Sequence, residues 1–439
     1  MYRYIKEELI EWKNSNNRKP LILKGARQVG KTYILKEFGN EFYENVAYFN
    51  FDYNASLKEI FANNKNPKKI IELLVFVDGT VINPHTTLII FDEIQECPEA
   101  LNALKYFYEE ANDYHIVCAG SLLGIRLAHI SFPVGKVDYL EMYPMTFKEF
   151  LLADNSRHLI DYMDSIQTIE KIPETIFSQL NDKIKSYFII GGMPEVVKIW
   201  VDTKNMILVN KIQNQILLGY ENDFGKHIYE TNMQNKISIV WKSIVSQLSK
   251  ENKKFVYQTV KQGARAREYE NAVNWLNDAN IVYKVFNVMK PDFPLEAYKD
   301  LRAFKLYMFD VGLLRKKANL DSKIVIEGNK LFEEFKGALT ENYILNVLMY
   351  QFEAEPNYHT FNRHEIDFII QYSNQIIPIE VKSSDTSNNK SLTEFNKLND
   401  NKISIRFSTN NLDFNGKVLN VPIFMTDYLN KLLDICLGD

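Results

Sequence analysis

Residues Gly25, Ala26, Arg27, Gln28, Val29, Gly30, Lys31 and Thr32 fit the pattern GxxxxGK[ST] in full, and no other segment of this 439-residue chain limits its fold so strongly. The apolar run Leu21, Ile22, Leu23 before the pattern reads as a strand. The run Tyr33 to Phe38 after it reads as the opening of a helix. Strand, glycine-rich turn and helix are the context that turns such a pattern into a phosphate-binding loop. Gly25 and Gly30 let the backbone curl so that N–H groups point at phosphate oxygens, and the helix N-terminus adds partial positive charge. Lys31 is placed to reach the β- and γ-phosphates and the Thr32 hydroxyl to ligate Mg²⁺.

Beyond the loop, apolar strands alternate with helices. Val46 to Phe51, Thr87 to Asp92 and His115 to Ala119 read as strands. Pro67 to Val77 and Ala100 to Ala111 read as helices. Nearly unbroken apolar strands separated by helices predict an α/β fold with a parallel sheet covered on both faces. Asp92 ends a buried strand, where a carboxylate holds Mg²⁺. Glu93, one residue on, is placed to polarise an attacking water as general base. Ala119, Gly120 and Ser121 end the next strand, and Ser121 reads either as a γ-phosphate sensor or as a turn residue.

A chain of this length exceeds one hydrophobic core, and three segments are expected, 1–155, 156–324 and 325–439. Hydrophobic residues at 46% and charged residues at 25% describe an ordinary soluble protein, and the net charge of −4 argues against a generally basic nucleic-acid coat while leaving room for a local basic cleft. The three cysteines, Cys97, Cys118 and Cys436, form no CxxC pair, so neither a zinc site nor a disulfide framework is expected. With no apolar signal core near Met1 and no apolar run of membrane-spanning length, a cytoplasmic protein without a membrane partner is expected.

The middle segment reads as helix Ile237–Leu248, a short turn or helix at Phe255–Val260, helix Arg267–Ile281 and a strand from Ile281 to Phe286. That order suggests a winged helix. Its second helix carries Glu268, Glu270 and Asp278 against Arg265 and Arg267, a face that favours a structural lid over a DNA reader. Pro291–Pro294 and Asn319–Lys323 read as connectors.

In the last segment Asp367 is followed by Glu380 and Lys382. Glu380 and Lys382 share one face of a strand. A two-residue turn at Ser373 and Asn374 pairs Tyr372 with Gln375 and, counting back, sets Asp367 opposite Glu380. The same register puts Ile366 against Val381, Phe368 against Ile379 and Ile370 against Ile377 on the other face. Upstream, Leu331 to Phe352 reads as a helix whose apolar seam of Leu331, Phe335, Ala338, Leu345, Leu348 and Phe352 is interrupted by Glu341. A buried carboxylate there needs a partner or a metal.

These residues carry a resemblance. The GARQVGKT loop, Phe91-Asp-Glu-Ile-Gln95, Ala119 to Gly124, Phe132 to Val137, Met142 to Phe150, Gly191 to Glu195 and Lys305 to Leu314 are similar to a prokaryotic family of AAA-type ATPases with a C-terminal domain of unknown function. That resemblance implies ATP and Mg²⁺, a sheet with an extra strand between the loop strand and the acidic strand, and Ser121 at the sensor position. An arginine finger is expected where such ATPases assemble, with Arg126, Arg157, Arg302 and Arg315 as candidates. Asp367, Glu380 and Lys382 resemble the PD-(D/E)xK restriction-endonuclease-like arrangement, in which Glu341, Asp367 and Glu380 would hold Mg²⁺ and Lys382 would stabilise charge. Two functions follow. One is an ATPase that drives or gates a nuclease-like domain on nucleic acid, with DNA as partner. The other is an ATP-dependent switch or scaffold that binds a protein, with a silent nuclease-like fold. Oligomeric state stays open.

Overall fold

A computed structural model describes residues 1–121, 135–226, 231–250, 253–322, 333–382 and 390–438. The predicted segments at 122–124 and 132–134, the finger candidate Arg126 and the seam residue Leu331 lie outside the described residues. The chain forms two compact units, Met1–Tyr143 with Asp278–Asn280, and Pro144–Asn277 with Ile281–Asp439.

The first unit is built on five strands: β1 (Leu21–Lys24), β2 (Asn45–Asn50), β3 (Thr87–Asp92), β4 (His115–Ala119) and β5 (Asp138–Glu141). All four pairings are parallel, in the order β2-β3-β4-β1-β5. The extra strand is therefore β4, which separates β1 from the acid-tipped β3. β3 and β4 are buried along their full length, as strands covered on both faces must be. One cover consists of Leu57, Ile60, Phe61, Ile70 and Leu74 with Leu101, Leu104 and Phe107, packed around Phe49, Phe51 and Phe91. Phe51, Phe61 and Phe91 meet edge to face at centroid separations of 5.5–5.6 Å, the arrangement aromatic quadrupoles favour.

Eight strands form the sheet of the second unit: β6 (Val282–Val288), β7 (Lys299–Met308), β8 (Asn357–Phe361), β9 (His364–Tyr372), β10 (Gln375–Val381), β11 (Ser404–Ser408), β12 (Asp413–Phe414) and β13 (Val418–Pro422). Their order is β12-β13-β11-β10-β9-β8-β6-β7. The sequence divides this region at 324, yet one sheet crosses that point, because β6 pairs in parallel with β8 through Asn287–Tyr358 and Val288–His359. Helices Thr231–Leu248, Tyr257–Val260 and Ala266–Asp278 precede the antiparallel β6–β7 ribbon, so the expected helix-helix-strand order is present. The ribbon is not a free wing, since it forms one end of the larger sheet.

The β9–β10 hairpin has the predicted register from Tyr372–Gln375 to Phe368–Ile379, whereas the expected Asp367–Glu380 and Ile366–Val381 pairs are not part of the ladder. Tyr372 pairs with Gln375, Ile370 with Ile377 and Phe368 with Ile379. Ser373 and Asn374 both take positive φ, +41° and +57°, as a two-residue turn matched to strand twist requires. Beyond Phe368–Ile379 the ladder gives way to a side-chain contact, and Asp367 Oδ2 accepts from the Val381 N–H at 2.7 Å.

Two stretches with no mechanism in the sequence meet at one buried junction of the second unit. Asp310 caps the helix Val311–Lys317. Its Oδ1 accepts from Leu313 N–H and its Oδ2 from Gly192 N–H, both at 2.7 Å. Gly191, with φ +77°, and Gly312 let two backbones touch there. Arg315, a finger candidate, is fully buried. Its guanidinium donates to Gln213 Oε1 at 2.5 Å, Asn210 Oδ1 at 2.9 Å and the Leu320 carbonyl at 2.7 Å. An arginine so enclosed by its own unit does not serve as a finger for a neighbour. Arg157 and Arg302 are exposed.

Candidate functional site

In the first unit the loop between β1 and the helix Lys31–Phe42 holds Gly25 at φ +141°, Gln28 at +63° and Gly30 at +96°. A Cβ at Gly25 would lie 2.2 Å from the Met142 carbonyl oxygen, so glycine is required both by conformation and by space. Arg3 braces the loop from outside, donating to the carbonyls of Val29 at 2.8 Å and Tyr143 at 2.6 Å. Lys31 is buried, and its ammonium donates to the Gly25 and Ala26 carbonyls at 2.9 and 2.7 Å. Burial lowers its pKa to about 8, although Glu93 and Asp92 pull the other way.

Thr32 Oγ1 donates to Asp92 Oδ2 at 3.0 Å, so the predicted hydroxyl and carboxylate meet at the end of β3. Two hard oxygen donors at this spacing suit Mg²⁺, and they would hold the ion beside the loop. The same Asp92 oxygen accepts from Tyr48 Oη at 2.7 Å, a contact absent from the sequence reading. Tyr48 is a polar interruption of β2, and Lys36 lies 3.4 Å from its ring centroid. Glu93 sits in the left-handed region at φ +51°, strained for a non-glycine residue, and accepts a hydrogen bond from Gln95 Nε2. Ser121 is buried at the end of β4, where its Oγ accepts from Arg27 Nε at 3.2 Å. The loop and Ser121 are thus joined through a side chain that sequence spacing alone does not connect.

Substituting Lys31 by alanine is expected to weaken ATP binding roughly 10- to 150-fold, the worth of a hydrogen bond to a charged group. Calorimetric titration of ATP across pH gives a second reading of the same residue. ATP favours the charged ammonium, so affinity in the native protein falls as pH rises through about 8, and this loss is absent in Lys31→Ala.

In the second unit, the β9–β10 hairpin and the helix Glu333–Gln351 bring the half-buried Asp367 near the buried Glu380 and Glu341. Burial raises the Asp367 pKa well above its ordinary value, and the nearby Glu341 and Glu380 add to that rise. Burial also raises Glu380, against the pull of Lys382, whose ammonium donates to Glu380 Oε1. Glu380 Oε2 is buried with no hydrogen-bond partner among the described residues. Burial works against ionisation of Glu341, yet Lys253 and Lys305 hold its pKa below the usual value.

Three further residues in the cluster escape the sequence reading. Lys305 on β7 is wholly buried, donates to Glu365 Oε1 at 2.5 Å and lies 4.8 Å from the ring centroid of Tyr358. Tyr307 donates to Glu341 Oε2 at 3.1 Å, and Lys253 donates to Glu341 Oε1. A lone lysine inside the apolar run 303–309 is the signal that could have found Lys305. Among the described residues, no three His, Cys, Asp or Glu side chains stand together as a metal-holding group. The expected set of Glu341, Asp367 and Glu380 is thus not such a group, and both Glu341 oxygens are engaged by protein donors.

Among the described residues, no helix is long and apolar enough to cross a membrane. Residues 17–151 match the AAA domain family. Residues 181–324 and 336–424 match two domains of unknown function, DUF8612 and DUF4143. No curated protein matches the chain. Solved structures to which it is similar include PCH-2 of C. elegans, at 14% identity and TM-score 0.27, covering 47% of this chain and 65% of that one. Another is the Holliday junction branch migration motor RuvB of Thermotoga maritima, at 15% identity and TM-score 0.32, covering 64% and 88%. A third is Drosophila ORC bound to DNA, at 11% identity and TM-score 0.26, covering 72% and 94%. The chain spans just under two thirds of the PCH-2 chain, and overall superpositions this loose carry no argument. The phosphate-binding loop, the acid-tipped strand β3, the parallel strand order and the family match together mark residues 17–151 as an AAA-type ATPase domain.

Proposed function

We propose that the first unit hydrolyses ATP between the 25–32 loop and the end of β3, and that this cycle drives or gates a nuclease-like domain of the second unit acting on nucleic acid. For the ATPase half, Lys31 binds the β- and γ-phosphates, Thr32 and Asp92 hold Mg²⁺, and Glu93 takes the proton of the attacking water. Ser121, bonded to Arg27, senses the γ-phosphate. Mg²⁺ when bound supplies charge neutralisation at the phosphate oxygens. Tyr48 helps to fix the orientation of the Asp92 carboxylate through the same oxygen that Thr32 bonds.

The nuclease-like half rests on one observation. The β9–β10 hairpin gathers Asp367, Glu380 and Lys382, a helical Glu341 joins them, and Glu380 Oε2 is left buried and unpartnered among the described residues. This composition supports the reading of a restriction-endonuclease-like site, in which Asp367 and Glu380 would hold a divalent ion and Lys382 would stabilise phosphate charge. The test is Mg²⁺- or Mn²⁺-dependent cleavage of plasmid and single-stranded DNA, with and without ATP. Cleavage is expected to be lost in Asp367→Ala and in Glu380→Ala, and cleavage unchanged in both variants refutes the assignment. DNA is also expected to stimulate ATP turnover, with an affinity that falls steeply with salt.

A second reading has its own support. The acids are met by Lys253, Lys305 and Lys382, a degree of neutralisation suited to a silent module that docks a protein while the ATPase acts as a switch. ATP turnover indifferent to DNA, together with absent cleavage, favours that reading.

A further inference from the structure

The acid cluster of the second unit contains a cation supplied by the protein itself. Lys253 lies just before a short bridge in which Lys254 pairs with Lys305 of β7, and Phe255 N–H donates to the Phe304 carbonyl at 2.7 Å. These backbone contacts hold residues 253–255 along the strand that carries Lys305 and Tyr307. From there the Lys253 ammonium reaches Glu341 Oε1, while Tyr307 takes the other oxygen. Both partners are nearly out of solvent, with side chains 15% and 7% exposed. A carboxylate this deep requires a counter-cation, and at Glu341 that role falls to an ammonium where a metal ion could equally stand. The independent sign that the cluster accommodates a further cation is Glu380 Oε2, buried on a residue 4% exposed and without a hydrogen-bond donor among the described residues.

We propose that Lys253 is an intramolecular stand-in for a divalent cation at Glu341, so that the Glu341–Asp367–Glu380 cluster takes up such an ion only when Lys253 leaves. This rests on the nuclease-like reading of the cluster. It accounts for the observation that the acids do not stand together as a metal-holding group while Lys253 is in place. It also gives the segment before β6 a function apart from contact with DNA. That segment carries the competitor, and whatever displaces it opens the site.

The probe is Mn²⁺ alone, titrated into the nucleotide-free full-length protein and followed by calorimetry and by the loss of the free-ion electron paramagnetic resonance signal. Lys253→Met is expected to bind Mn²⁺ roughly 5- to 150-fold more tightly than the native protein, the usual range for a coupling of this kind. The gain should disappear when Glu341→Gln is added, and binding that survives Glu341→Gln, Asp367→Asn and Glu380→Gln together lies outside the cluster. Lys253→Met should also melt at a lower temperature in metal-free buffer and recover with Mn²⁺, a rescue the native protein does not show. Lys253→Gln serves as the second variant if Lys253→Met does not fold. Equal affinity in the native protein and both variants overturns the competition. If that shared binding is lost in Asp367→Asn, the metal-site reading survives alone. If neither native nor variant protein binds Mn²⁺ at the cluster, both ideas fall.

Discussion

Glu93→Gln is expected to retain ATP and lose turnover by a factor of about 10² to 10⁴, the range that a positioned general base contributes. The substitution preserves size and removes only basicity. The bond from Gln95 Nε2 can still be accepted by the new amide oxygen, so the turn at φ +51° need not rearrange. The phosphate-binding atoms belong to a different element, the loop and the first turn of the following helix, and do not depend on the Glu93 charge for their geometry. Steady-state phosphate release, measured beside nucleotide affinity, separates the two effects. A variant that hydrolyses ATP at the native rate removes Glu93 from the role of base. A variant that fails to bind ATP shows that its carboxylate supports the loop instead.

The largest effect on stability is expected at Gly312. A Cβ there would stand 2.5 Å from both Gly191 N and the Ile190 carbonyl oxygen and 2.6 Å from Gly191 Cα. All three are backbone atoms at the end of a helix, so no rotamer change relieves the clash. Forcing the chains apart also lengthens the bond by which Asp310 joins them, that from Gly192 N–H. Overpacking of this kind costs about 1–3 kcal/mol and weakening buried hydrogen bonds about 1–3 kcal/mol more. Gly312→Ala should therefore lower the urea midpoint of the second unit clearly. Gly225→Ala makes the matching control, since its Cβ meets nothing within 4 Å and alanine favours a helix. An unchanged midpoint in Gly312→Ala would show that the two backbones are free to separate.

Features carried by local spacing are legible in the sequence. The loop, the acid pair and the β9–β10 register all depend on neighbours a few residues apart, where strand period and turn length leave little freedom. Glu341 is legible as a misfit in an apolar seam, and it is buried and paired as a misfit must be. What spacing does not reveal is which distant cation answers a buried acid. Lys253 lies 88 positions from Glu341, and Lys305 lies 60 from Glu365. Arg315 is misleading for the converse reason. A sequence shows an arginine's charge, whereas its role here follows from Asn210 and Gln213, more than a hundred residues away. The division at 324 is drawn from connector composition, and a parallel pairing such as β6 with β8 leaves no mark in composition.

That pairing bears on how this protein can be cut. The two matched regions of unknown function end and begin at 324 and 336, which makes the gap an inviting place to separate them. Each half would then carry an open flank of the same sheet. The upstream piece would expose the side of β6 at Asn287 and Val288, and the downstream piece the side of β8 at Tyr358 and His359. Unsatisfied strand flanks recruit other chains. Fragments made at this position should associate with each other or with themselves, and mixing the two halves is a route to restoring the native sheet from separate polypeptides.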